Sequence, residues 1–185
     1  MKKEGIKKIF LDVDGVLANF YLAMCIRYNN PYKTLNSWSN SWINDIFHEI
    51  KNDKGFWHML PVLNPPEAIT FDIAGYVSAC PEDMYLQREF WLKKNGFPMA
   101  PLYLTSSHDK VAILKKLKCD IYLDDRLENV IQLRKADINA ILFEPTYISY
   151  ANHSLVGCKD FVHYGLGKND KVPYIKHIDQ LNQYI

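Results

Sequence analysis

The stretch Ile9-Phe10-Leu11-Asp12-Val13-Asp14-Gly15-Val16-Leu17-Ala18 constrains this chain more than any other. An apolar run goes straight into two carboxylates and then a glycine. Such runs form strands buried on both faces of a parallel sheet, and ligands in open α/β sheets gather at the carboxyl ends of those strands. Asp12 and Asp14 are two residues apart, so a regular strand would point both to one face. At the strand end Asp14 is expected to bend away, with Gly15 permitting the turn. Two carboxylates this close to an apolar strand repel each other unless a cation or a shared proton compensates. A hard divalent cation with oxygen ligands is the natural partner.

Asp-Gly by itself is also an ordinary tight-turn signal. Asp12 shifts the balance, because a turn needs no carboxylate inside the preceding strand. A second acidic pair decides it: Asp124-Asp125 closes another apolar run, Cys119-Asp120-Ile121-Tyr122-Leu123. Two strands ending in paired carboxylates predict a metal site.

The 185 residues suffice for one core with a small inserted subdomain. Lys and Arg number 22 against 21 Asp and Glu, a net charge of +1, so no polyanion-binding surface is expected and nucleic acid polymers are not expected partners. Small phosphorylated ligands remain open, and so does a homodimer. The four cysteines, Cys25, Cys80, Cys119 and Cys158, are far apart with no C-x-x-C spacing. Free thiols in a reducing compartment are expected, and zinc is not. The N-terminal lysines precede an apolar run that Asp12 interrupts too early for a signal peptide, and no stretch approaches a membrane span. A cytoplasmic protein is the expectation.

Along the chain, Lys7 to Asp12 reads as the first strand. Leu17, Phe20, Tyr21, Met24 and Cys25 recur at helical spacing, as do Trp42, Ile43, Ile46, Phe47 and Ile50. Phe56-Trp57-His58-Met59-Leu60 and a proline-rich breaker from Pro61 to Pro66 follow. This block is too long for a simple crossover and predicts a helical cap over residues 17–65, inserted in a core made of residues 1–16 and 66–185. Beyond it come strands at Gly75 to Ala79, Leu102 to Thr105, Ile121 to Asp124 and Ala140 to Phe143. The intervening helices span Glu82 to Asn95, Asp109 to Leu117 and Leu127 to Ala136. Glu67 to Ile73 fits either helix or strand, and a terminal helix is expected near Tyr174 to Gln183. Alternating strands and helices predict an α/β chain with a doubly wound, Rossmann-like parallel sheet.

Asp12-Val13-Asp14-Gly15-Val16-Leu17-Ala18 resembles the first motif of the haloacid-dehalogenase-like superfamily, D-x-D-G-x-hydrophobic-x. Ser78, Lys110 and the Asp124-Asp125 pair follow in the order of that family's remaining motifs. The resemblance covers Lys7 to Phe143, and four motifs in order are far more specific than any one. It implies the strand order 3-2-1-4-5, an Asp12 nucleophile that forms an aspartyl-phosphate, and Asp14 as general acid and base. It further implies Mg²⁺ held by the Asp12 carboxylate, the Asp14 main-chain carbonyl and Asp124, with Asp125 a ligand or a supporting partner. Lys110 and Ser78 would bind the phosphoryl oxygens. Ala79 stands where some relatives carry Thr, so the second motif position is either Ser78 or Ala79. The inventory makes chemical sense, since phosphomonoester transfer needs a nucleophile, a proton donor and neutralised phosphoryl oxygens. His108 reads as a loop or helix-cap residue.

Within the superfamily the chain most resembles the 5′(3′)-deoxyribonucleotidases. That resemblance rests on Asp14-Gly15-Val16-Leu17-Ala18-Asn19-Phe20, the Gly55-Phe56-Trp57 segment with Leu60-Pro61, Phe90-Trp91 before Gly96, and Leu123-Asp124-Asp125-Arg126. It implies nucleoside monophosphate substrates, with Phe20, Phe56 and Trp57 as substrate-binding residues and the cap aromatics stacking on the base. Phe56 and Trp57 fit cap packing equally well. A phosphatase for a sugar phosphate or similar metabolite would keep the catalytic residues and change only the cap. A phosphate-binding module without catalysis is expected to have lost a motif member.

Overall fold

In the computed structural model, residues 6–33, 38, 41–106, 108–148 and 172–185 are described. The apolar runs form a six-stranded, all-parallel sheet: β1 (Ile9–Leu11), β2 (Gly75–Ala79), β3 (Leu102–Thr105), β4 (Ile121–Asp124), β5 (Asn139–Phe143) and β6 (Tyr174–Ile175). Their spatial order is β3-β2-β1-β4-β5-β6. Every registered pair is parallel, with Phe10 opposite Gly75 on one side of β1 and Tyr122 on the other. The expected order 3-2-1-4-5 is therefore present, extended by one strand. Between β1 and β4 the winding direction reverses. Loops diverge at such a point and leave a crevice beyond the strand ends.

Helices α4 (Tyr85–Lys94), α5 (Lys110–Leu117) and α6 (Leu127–Lys135) link the later strands. α4 continues a 3₁₀ turn over Glu82–Met84 and ends before Gly96, whose φ of +77° suits a residue without a side chain. The insert between β1 and β2 carries α1 (Phe20–Arg27), α2 (Ser41–Ile50) and α3 (Lys54–His58). Asn19 caps α1 by accepting from the Leu22 amide, and Asp53 caps α3 by accepting from the Phe56 amide. The insert is anchored at both ends. The Leu63 amide donates to the Leu17 carbonyl, the Asn64 side chain to the Val16 carbonyl and the Trp91 indole to the Leu60 carbonyl, at 2.7, 2.6 and 2.7 Å.

Two expectations change. Residues 16–18 lie in a tight turn, with the Gly15 amide donating to the Ala18 carbonyl, so the first insert helix starts at Phe20 and not at Leu17. The expected helix at Tyr174 to Gln183 is a short strand followed by a 3₁₀-helix over Ile178–Tyr184. The edge of β5 supplies the reason for the strand. Its Leu142 and Glu144 amides donate to the Pro173 and Ile175 carbonyls, which would otherwise have no ladder partner. Ile178 and Leu181, three apart and both buried, match the three-residue period of a 3₁₀-helix. Glu67 to Ile73 resolves into a 3₁₀ turn at Pro66–Ala68 and irregular chain. Cys25, Cys80 and Cys119 are free thiols, and Cys158 lies outside the described residues. Among the described residues no helix is long and apolar enough to cross a membrane.

Candidate active site

The carboxyl ends of β1 and β4 bring Asp12, Asp124 and Asp125 together, as their sequence positions suggest. All three are buried, and each offers a carboxylate oxygen within 4.8 Å of the others. Lys110 opens α5 and reaches across both strand ends. Its Nζ donates to Asp12 Oδ2 at 2.5 Å and to Asp124 Oδ2 at 2.7 Å, and it is 1% exposed. The Asp12 carboxylate also accepts from the Val13 amide. Asp124 accepts from the Arg126 amide and from the Asn129 side chain on both oxygens. Gly15 (φ +76°) packs so tightly on the Asp125 carboxylate that a Cβ there would overlap it, so the turn admits no side chain.

Burial dominates the electrostatics. It raises the Asp12 carboxyl from 3.8 to about 7, against the lowering effect of Lys110 and with added repulsion from Asp124 and Asp14. Burial, then Asp124 and Asp12, push Asp125 well above the usual carboxylate range. For Lys110, burial works downward, but Asp12 and Asp124 outweigh it and raise the ammonium above its ordinary value. One ammonium thus bridges two of three crowded, desolvated carboxylates, with the Arg126 charge acting on the third. This excess of hard oxygen donors over positive charge fits a divalent cation of the Mg²⁺ type.

A measurable consequence follows from the raised Asp12 carboxyl. In the unfolded chain it ionises near 3.8, whereas in the metal-free fold it keeps its proton to about 7. Across that window the native state binds more protons than the unfolded one, so this group costs stability as pH rises. A cation on the ionised carboxylates offsets that cost. Added Mg²⁺ is expected to raise the Tm little at about pH 5 and most at about pH 8 in parallel calorimetric scans. A gain independent of pH, or no gain, would remove the three carboxylates as a cation site.

Asp14 is not one of the three clustered carboxylates, and its reading as a metal ligand concerns its main-chain carbonyl. Its side chain turns toward β2 and α4. There Ser78 Oγ donates to Oδ2 at 3.1 Å and Arg88 Nη2 donates to Oδ1 at 2.7 Å. Ser78 is fully buried and lies outside the cavity lining, whereas Ala79 is part of it. Arg88 was not among the residues singled out in the sequence. It is 0% exposed, and its guanidinium carbon lies 5.3 Å from the Trp57 ring centroid and 5.8 Å from that of Trp91. The signal was present: Arg88 shares a helix face with Met84, Trp91 and Leu92, all buried, where a charge is out of place.

Above these groups is a cavity of about 580 Å³. Asp12, Asp14, Lys110, Asp125 and Arg126 line its floor, and Phe20, Trp38, Phe47, Trp57 and Asn44 of the insert line its opposite wall. Phe20 stacks on Trp57 at 5.5 Å between ring centroids. Phe56 meets Phe20 edge-on from behind and lines a separate surface pocket with Ile26 and Met59. Of the three aromatics singled out for substrate binding, Phe20 and Trp57 reach the cavity and Phe56 does not. Trp38, Phe47 and Asn44 of the lining, and the Asp124 partner Asn129, belong to no motif visible in the sequence. His108 is exposed and outside the lining.

Comparison with known proteins agrees with this architecture. The chain has the fold of the haloacid-dehalogenase-like hydrolases. It superposes on a dehalogenase crystal structure with a TM-score of 0.56 at 10% identity, covering 98% of each chain. On a haloacid dehalogenase-like family hydrolase from Streptococcus pneumoniae the TM-score is 0.52 at 12% identity, covering 97% of this chain and 99% of that one. In sequence, the chain is 22% identical over 160 residues to a protein of Clostridium acetobutylicum named a nucleotidase, spanning 75% of this chain and 81% of that protein. No family model matches the chain.

Proposed function

We propose that the protein is a Mg²⁺-dependent phosphomonoester hydrolase acting on nucleoside or deoxynucleoside monophosphates. The observation that carries this reading is a single cavity with two unlike walls. Buried carboxylates and an ammonium form one wall, and four aromatic side chains on the insert form the other. The first wall suits a phosphoryl group. The second suits a base, because stacking on aromatic rings tolerates every base. The volume is that of a small-molecule site. Residues 17–65 act as a cap on a core of residues 1–16 and 66–185, so that the cap selects the leaving group and excludes water.

Asp12 is the nucleophile. Its carboxylate oxygen forms a bond to phosphorus while the ester P–O bond breaks, and the departing oxygen takes a proton from Asp14. Asp14, now ionised, takes a proton from water. The water oxygen bonds to phosphorus, the bond to Asp12 breaks, and inorganic phosphate leaves. Lys110 holds the phosphoryl oxygens as a point charge, and the chain at Ala79 forms the facing wall. Asp12, Asp124 and Asp125, with the Asp14 main-chain carbonyl, would hold Mg²⁺, which when bound lowers the repulsion between the phosphate and the carboxylates.

The test is phosphate release from a panel of ribo- and deoxyribonucleoside monophosphates and sugar phosphates, with Mg²⁺ and with EDTA. Release that needs the metal and favours nucleotides is the expected result. Release from sugar phosphates alone would keep the chemistry and discard the nucleotide. No release from any ester would leave a phosphate-binding module.

A further inference from the structure

We propose that Arg88 is a positioning residue for Asp14, holding the acid/base carboxylate in one orientation and tying that orientation to the insert through Trp57. The proposal rests on the reading of Asp14 as general acid and base.

Terminal carboxylate torsions are broad, so an aspartate at the mouth of a turn samples many orientations unless something holds it. Asp14 is held at both oxygens, by Arg88 Nη2 on Oδ1 and Ser78 Oγ on Oδ2. A carboxylate oxygen has two lone-pair sites, so each keeps one for proton traffic. The carboxylate side chain is 18% exposed, and Asp14 lines the cavity floor. Its orientation is therefore set from behind while its free side stays open to the cavity.

Packing alone does not account for an arginine at this position. Arg88 is fully buried, and its Nε and Nη1 have no hydrogen-bond partner among the described residues. A Met or Leu would fill the slot between Trp57 and Trp91 without burying a charge and two unused donors. The guanidinium makes two kinds of contact there, with the two indole rings and with Asp14. Trp57 belongs to α3 of the insert and also lines the cavity, so the group that orients Asp14 rests on a ring that a bound substrate would touch. In the first step the proton passes from Asp14 to the departing ester oxygen, and in the second from water to Asp14.

The test compares kcat/KM for two esters, the best nucleotide of the panel and 4-nitrophenyl phosphate. Nitrophenolate leaves without a proton, so a misplaced acid slows the nucleotide and spares the aryl ester. Arg88→Gln and Arg88→Lys are expected to lower kcat/KM on the nucleotide about 10- to 100-fold and on the aryl ester less than about threefold. Asp14→Asn should skew the ratio further in the same direction, and Arg88→Gln added to it should leave the ratio unchanged. The ratio is read within one preparation and does not depend on the fraction folded. Ser78→Ala removes the other hydrogen bond on the carboxylate without touching α4 or the tryptophans, so it should shift the ratio the same way even where neither Arg88 variant folds. Equal losses on both esters in the Arg88 variants, or a wild-type ratio in Ser78→Ala, would overturn the proposal. A wild-type protein inactive on both esters would instead overturn the hydrolase reading, and the role of Arg88 with it.

Discussion

Asp12→Asn is expected to reduce phosphate release by about 10⁴-fold or more while leaving the Tm unchanged or higher. The amide is nearly isosteric, and its oxygen can still accept from the Val13 amide as the carboxylate does. What disappears is the oxygen proposed as nucleophile and one of three crowded carboxylates. Burial, with repulsion from Asp124 and Asp14 and against the pull of Lys110, holds the Asp12 carboxyl up at about 7, so its charge is costly without a cation. Lys110 keeps its contact with Asp124. Activity and stability are thus set against each other at this position. Near-normal turnover would remove Asp12 as nucleophile, and a large fall in Tm would make it a structural residue.

Lys110→Met is expected to fail in both respects. Removing one member of a buried charge cluster strands the others, which typically costs about 3–5 kcal/mol. Here Asp12 and Asp124 lose the same ammonium, and Asp125 remains beside them. The loss should be smaller at about pH 5, where Asp12 is protonated, than at about pH 8, where it is not. Turnover should fall with it, because no other ammonium reaches the cluster among the described residues. Urea unfolding at the two pH values reads the stability, and the phosphate assay reads the activity. Unchanged stability at the higher pH would show that the three carboxylates do not need this ammonium.

The legible parts of this chain were those where a local pattern and a tertiary demand coincide. β1 and β4 announce themselves as apolar runs cut off by paired carboxylates, because a central parallel strand is buried until it reaches the site. Lys110 was legible because it opens the helix that precedes β4. Tyr174–Ile175 was not, because its strand exists only to complete the edge of β5. Phe56 and Trp57 are adjacent and chemically alike, yet on α3 they point about 100° apart. Trp57 reaches the cavity and Phe56 does not, and composition cannot separate them. Arg88 was passed over because charged helix residues are usually solvated. Its partner, Asp14, lies 74 residues earlier and on another element.

The long reach of these contacts bears on how the protein is made. Lys110 is 98 residues from Asp12. The Asp12 amide is fixed by the Leu123 carbonyl of β4, a strand synthesised later still. In synthesis Asp12 therefore precedes both of the groups that hold it in place. The ammonium that pairs with its carboxylate follows 98 residues later, and the β4 carbonyl that holds its amide follows later still. Fragments that stop before β4 hold Asp12 and Asp14 without the residues that complete the site. The acidic cluster can assemble only once the two central strands of the sheet have paired.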